Sequence, residues 1–148
     1  TDTRFGAAHD FMREMERICA RRVVSTVAGA EPIGPKGLLD VLVVCPCTGN
    51  TLAKLAHGVT DTAVTMAAKA HLRNGRPLVL ALATNDGLTG SAPNLGTMLN
   101  RKNVYFVPFG QDDCMGKPAS LVADFSLVPE AIEAACRGEQ LQPLLLRR

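Results

Sequence analysis

Cys45-Pro46-Cys47-Thr48-Gly49-Asn50 has the residue types best suited to ligand chemistry in this 148-residue chain, and it stands where an apolar run gives way to helix-forming residues. The first amides of a helix have no partner within the helix and can bond the polar edge of a ligand. In open α/β sheets such turns lie beyond the carboxyl ends of strands, where ligands bind. Cys47, Thr48 and Gly49 are small enough for a flat ligand to approach the backbone, and Asn50 offers two donors and an acceptor. Asn50-Thr51 is also good N-cap chemistry, so both a ligand role and a capping role are open for Asn50.

Other chemistry-bearing residues give weaker signals. Gly110-Gln111-Asp112-Asp113-Cys114-Met115-Gly116-Lys117 approaches a phosphate-binding P-loop, but it has one residue too many between the glycines. Two acids stand where phosphate would lie, and Pro118 replaces the magnesium-binding hydroxyl. No dinucleotide-binding G-x-G-x-x-G is present. Cys45 and Cys47 lack the second Cys or His pair that a zinc site needs, and His57 and His71 fall on helices away from them. We therefore expect no metal, and read the cysteines as small, buried, unreactive thiols.

The elements that must position the turn follow from periodicity. Val41-Leu42-Val43-Val44-Cys45 is a continuous apolar run, as expected of a strand buried on both faces, with Pro46 as its stop. Leu52 to Ala56 continues as a helix ending at Gly58, and Thr60-Asp61 opens a second helix closed by Asn74-Gly75. Leu78–Leu82 and Val104–Val107 read as further strands, with a helix near 92–101 between them and a polar loop over 110–120. Ser126 caps a final helix reaching Cys136. Upstream, apolar residues at helical spacing predict an amphipathic helix over 5–20, and β-branched Val23 to Thr26 predict a short strand. Only a short helical turn can follow the Pro- and Gly-rich stretch 31–37. Alternating strands and helices indicate one Rossmann-like α/β domain with a doubly wound parallel sheet over 1–148.

Sixteen basic and 14 acidic residues give a net charge of +2, with no concentrated basic face in the sequence that would indicate nucleic acid or a membrane surface. No apolar run reaches the roughly 20 residues of a membrane span. Five cysteines, an odd number, fit buried reduced thiols in a cytoplasmic protein better than a disulfide framework. Thr1 opens the chain without a methionine, which predicts that an N-terminal segment has been lost.

The sixteen residues Pro46 to Asp61 resemble the signature of the homo-oligomeric flavin-containing cysteine decarboxylases, in which a Pro-Ala-Ser/Thr-Ala-Asn-Thr turn holds the FMN ring. Thr1–Gly6, Ala68–Gly75 and Val107–Asp112 extend the likeness along the whole chain, to a branch of that flavoprotein family working in spore formation. The resemblance implies a flavoprotein-type fold lacking its first β-α unit. It further implies FMN on Pro46, Cys47, Thr48, Gly49, Asn50 and Thr51, with Asp61 following one helix later and Thr3 near the phosphate end. Trimers, or multiples of trimers, are the implied assembly, and the small-faced helix carrying Ala63, Ala67, Ala68 and Ala70 would suit a neighbouring copy.

Two family features differ here. Glu31-Pro32 stands where the decarboxylases carry a catalytic His, and their Pro-x-Met-Asn-x-x-Met-Trp clamp reads Ala81-Leu82-Ala83-Thr84-Asn85-Asp86-Gly87-Leu88. The implied activity is thus an oxidoreductase component that aromatises a small dihydropyridine dicarboxylate, working with a separate NAD(P)-dependent partner protein. Asn85, Arg4 and Lys117 are its candidate catalytic or carboxylate-binding residues. Two alternatives are a non-catalytic flavin- or ligand-binding module supporting that partner, and an FMN-dependent phosphopantothenoylcysteine decarboxylase-like enzyme.

Overall fold

Leu78 to Leu82 are all fully buried, so both alternating sets of side chains on this strand lie under other elements. A computed structural model describes residues 6–147, and in it this strand, β2 (Leu78–Thr84), is the centre of a mostly parallel sheet. Parallel β1 (Leu42–Cys47) takes one edge of β2. The other edge is shared: parallel β3 (Val104–Phe106) pairs with Leu78–Leu80, and antiparallel β5 (Leu121–Ala123) pairs with Ala83 and Thr84. β4 (Phe109–Gly110) extends the sheet from β5. The parallel core agrees with the alternating sequence pattern, and the antiparallel pair β4 and β5 is an addition to it. These two strands are two and three residues long, too short to leave a periodic signal.

Among the described residues six α-helices accompany the sheet: α1 (Ala8–Cys19), α2 (Val27–Ala30), α3 (Gly49–His57), α4 (Ala63–Leu72), α5 (Ala92–Leu99) and α6 (Val128–Cys136). α1 matches the predicted amphipathic helix, yet it buries no residue, and Phe11, Met15 and Ile18 are exposed. The predicted strand at 23–26 is not one. Its Val23 amide donates to the Glu16 carboxylate at 2.8 Å and Thr26 caps α2, so β-branched composition without a strand neighbour does not suffice. A 3-10 turn, Glu31–Ile33, follows α2. Among the described residues no helix is long and apolar enough to cross a membrane.

Three other expectations need correction. Pro46 does not stop β1, which runs on to Cys47 through an irregularity between Val44 and Cys47, a place where a strand tolerates proline. The cap of α4 is Thr62, which exchanges bonds with Thr65 in a capping box, rather than Thr60-Asp61. Ser126 does not cap α6: its amide and hydroxyl both bond Asp124, which opens a 3-10 turn ahead of that helix. The alanines of α4 are largely spent within the chain. Ala67, Ala68 and Ala70 are buried, and Gly34 approaches so closely that a Cβ there would lie 2.7 Å from the Ala70 carbonyl oxygen.

Candidate functional site at the carboxyl end of the sheet

β1 delivers its chain into α3 through Thr48, and Thr48 is the true N-cap. Its Oγ1 accepts the Thr51 amide at 3.3 Å and lies 3.2 Å from Thr51 Oγ1. The capping role left open for Asn50 therefore belongs to Thr48. Asn50 sits in the first turn of α3, exposed, with its side-chain amide making no hydrogen bond to the described residues. Its polar atoms are free for a ligand.

Gly49 is small for a reason that only the folded chain discloses. A Cβ there would come within 2.6 Å of Thr84 Oγ1, 2.8 Å of Ser91 Oγ and 3.0 Å of Asp86 Oδ1. Those three oxygens form one cluster: Asp86 Oδ1 accepts the Thr84 hydroxyl at 2.5 Å and the Ser91 hydroxyl at 2.8 Å. Asp86 also closes the following turn through its carbonyl, which takes the Thr89 and Ser91 amides. The Thr84 hydroxyl first, and then that of Ser91, hold the Asp86 carboxyl below its ordinary range, so it is ionised at neutral pH. The first turn of α3 is thus pressed against the end of β2, and residues 48–50 and 84–86 form one shelf. Sequence reasoning misses Thr84, Asp86 and Ser91 because their contact with Gly49 joins distant parts of the chain and repeats no local pattern.

Asn85 lies on this shelf, exposed, between Thr84 and Asp86. Lys117 belongs to the loop after β4, tied to the same end of the sheet by the Leu88 amide on the Ala119 carbonyl at 3.0 Å. It is ion-paired with Asp112 at 3.3 Å. The loop's amides are used internally, Gly116 on the Asp113 carboxylate and Lys117 on the Asp113 carbonyl, so it forms no phosphate cradle. Arg4 and Thr3 lie outside the described residues.

Two predicted contacts are not brought to the shelf as side chains. Cys47 is fully buried, and burial pushes its thiol up to about 12, so it offers a ligand only backbone and is no thiolate nucleophile. Asp61 stands beyond the far end of α3, about 13 Å away at the helical rise, where it pairs with Lys54 at 2.9 Å. Pro46 is exposed and follows a cis peptide bond from Cys45. No group of three or more potential metal ligands occurs among the described residues.

Residues 7–121 match the model of the flavoprotein family. The chain is 45% identical over 146 residues to the dipicolinate synthase B subunit of Bacillus subtilis, covering 99% of this chain and 73% of that protein. A shorter likeness, 44% over 41 residues, links it to the flavin prenyltransferase UbiX of Deinococcus radiodurans, over 28% of this chain and 21% of that one. Among solved structures, the dipicolinate synthase B subunit from Bacillus halodurans superposes with a TM-score of 0.92 at 45% identity, over all of this chain and 76% of that one. The FMN-dependent cysteine decarboxylase SpaF shares the fold, with a TM-score of 0.59 at 24% identity over 84% of this chain and 71% of that one. With a family model spanning most of its length and a relative aligned to nearly all of it, the chain belongs to the flavoprotein family.

Proposed function

We propose that this chain is the flavin-holding component of a two-protein dipicolinate synthase, oxidising dihydrodipicolinate or its hydrated precursor to dipicolinate during sporulation. The observation that carries the reading is the 45% identity to a dipicolinate synthase B subunit over nearly the whole chain. The shelf at the carboxyl end of the sheet supports it. Free α3 amides, the exposed Asn50 amide and a floor without bulk fit the polar edge of a flat ring.

FMN, when bound, supplies the two-electron acceptor that aromatisation requires. Thr48, Gly49, Asn50 and Thr51 would hold the ring edge, with Pro46 beside it. Asn50 orients the ligand by donating and accepting through one amide. Asn85 and Lys117 are the candidates for the substrate, Lys117 for a carboxylate once it leaves Asp112. A B subunit implies a companion subunit, and on this reading that companion is an NAD(P)-dependent protein. Assembly as a trimer or a multiple of trimers rests on the family likeness alone, because α4 spends Ala67, Ala68 and Ala70 within the chain.

One observation favours a second reading, a ligand-binding module that supports the partner without performing chemistry. At the shelf the Asp86 carboxyl is held low and the Cys47 thiol high, so neither is poised to exchange a proton near neutrality. A test of the first reading is the visible spectrum of the chain titrated with FMN. Saturable binding with a shifted flavin band, weakened at least tenfold by Asn50→Ala, is the expected result. An unchanged spectrum at saturating FMN would refute flavin binding by this chain.

A further inference from the structure

The opposite end of the sheet carries a second concave feature, unrelated to the shelf. A cavity of about 110 Å³ is lined by buried Leu55, half-buried Leu72 and exposed Val59, together with Lys54, Lys69 and Arg101. A shallower recess adjoins it, sharing Lys69, Leu72 and Arg101 and adding Arg73 and Lys102. Three helices, α3, α4 and α5, end around this hollow, and so does the turn leading into β3.

Basic residues at helix C-termini have an ordinary explanation, since each helix end presents about half a negative charge. The magnitudes decide against that explanation being sufficient. Five cations stand beside two carboxylates: Asp61, which is bonded to Lys54, and Glu31, which lines a neighbouring recess with Lys69 and Arg73. Three helix ends offset about 1.5 charges, which leaves about +1.5 around a partly apolar hollow. Lys69, Arg73, Arg101 and Lys102 have no carboxylate partner among the described residues. Arg101 is also fixed, its Nη1 donating to the Leu55 carbonyl at 3.2 Å. A chain of net charge +2 therefore concentrates most of its excess at one site.

We propose that this hollow is a binding site for a small dianion with an apolar body, a phosphate monoester or a dicarboxylate, separate from the shelf and about one helix length from it. Arg101, held by Leu55, is the oriented donor, Lys69 and Lys102 supply mobile charge, and Leu55 and Leu72 take the apolar part. The site stands whether or not the flavin reading holds, because no residue is common to the two.

The test is amide NMR of the full chain titrated with inorganic phosphate and, separately, with pyridine-2,6-dicarboxylate, at ionic strength held constant with chloride. Each probe stands for one source of the dianion, and the tighter of the two names it. Saturable shifts centred on Val59, Leu72 and Arg101 are expected. The double variant Lys69→Ala/Lys102→Ala changes two exposed side chains without hydrogen bonds in the fold, so it keeps its spectrum and weakens binding at least tenfold. Arg13→Ala, on α1, leaves binding unchanged. Shifts that never saturate, that chloride reproduces, or that persist in the double variant would overturn the proposal. Saturable shifts confined to residues 48–51 would overturn it too, and would place the anion at the shelf.

Discussion

Thr48 and Asn50 are both short polar residues beside a helix start, and propensity alone does not distinguish which one caps. The geometry does: Thr48 Oγ1 receives the Thr51 amide, and Asn50 has already entered the helix. Stability and ligand binding therefore separate between two positions only a residue apart. Thr48→Ala removes the cap and costs about 1 kcal/mol of stability, read as a lowered midpoint in urea unfolding. Asn50→Ala leaves that stability within about 0.5 kcal/mol, as for a surface change, yet weakens FMN binding at least tenfold. Equal loss of stability in the two variants would return Asn50 to a capping role. The expectation of buried thiols holds only at Cys47, whose burial raises its thiol; Cys19, Cys45, Cys114 and Cys136 are exposed, because number and spacing do not fix burial.

Among elements, the long apolar ones are legible in the sequence and the short or context-made ones are not. β1, β2, α3, α4 and α5 each carry enough residues to show a period or a continuous run, and each lies within a few residues of its expected bounds. The stretch 23–26 has strand composition but needs a neighbouring strand to complete its backbone bonds, and its Val23 amide takes Glu16 instead. The close approach of Gly34 to α4 has no sequence signal at all, since the contact joins positions 34 and 70. It can be tested directly. Gly34→Ala places a methyl 2.7 Å from a backbone oxygen that a helix cannot easily withdraw, at a position whose φ of −70° is itself unstrained. The expected cost is about 1–3 kcal/mol, as for overpacking, seen in thermal unfolding without change in FMN binding. A neutral substitution would show that the 31–37 turn yields freely and does not fix α4.

For the whole molecule, the question is where the electrons go. Aromatising a dihydropyridine dicarboxylate releases a hydride equivalent and a proton, and this chain has no G-x-G-x-x-G turn to hold a nicotinamide. The loop over 110–117, which approaches a phosphate loop in sequence, spends its amides on Asp113. The carboxyl end of the sheet instead exposes Asn50 and Asn85 on the shelf, with the edge of β2 divided between β3 and β5. A flavin held there must be reoxidised by another agent, and without flavin the hydride must pass to a cofactor on a second protein. On the proposed reading an NAD(P)-dependent partner takes those electrons in either case, and turnover then depends on it. The expected outcome is no steady-state dipicolinate from this chain with NADP, and restored formation when the partner protein is added, followed by the absorbance of the aromatic product. Lys117→Ala in the reconstituted pair should then raise KM if Lys117 holds a substrate carboxylate, by roughly tenfold or more for a lost charged hydrogen bond of about 1.5–3 kcal/mol. Sustained NADP-linked turnover by this chain alone would contradict the two-protein reading. Full activity of the partner without this chain would leave the binding-module reading, in which the shelf holds a ligand and the chemistry belongs to the partner.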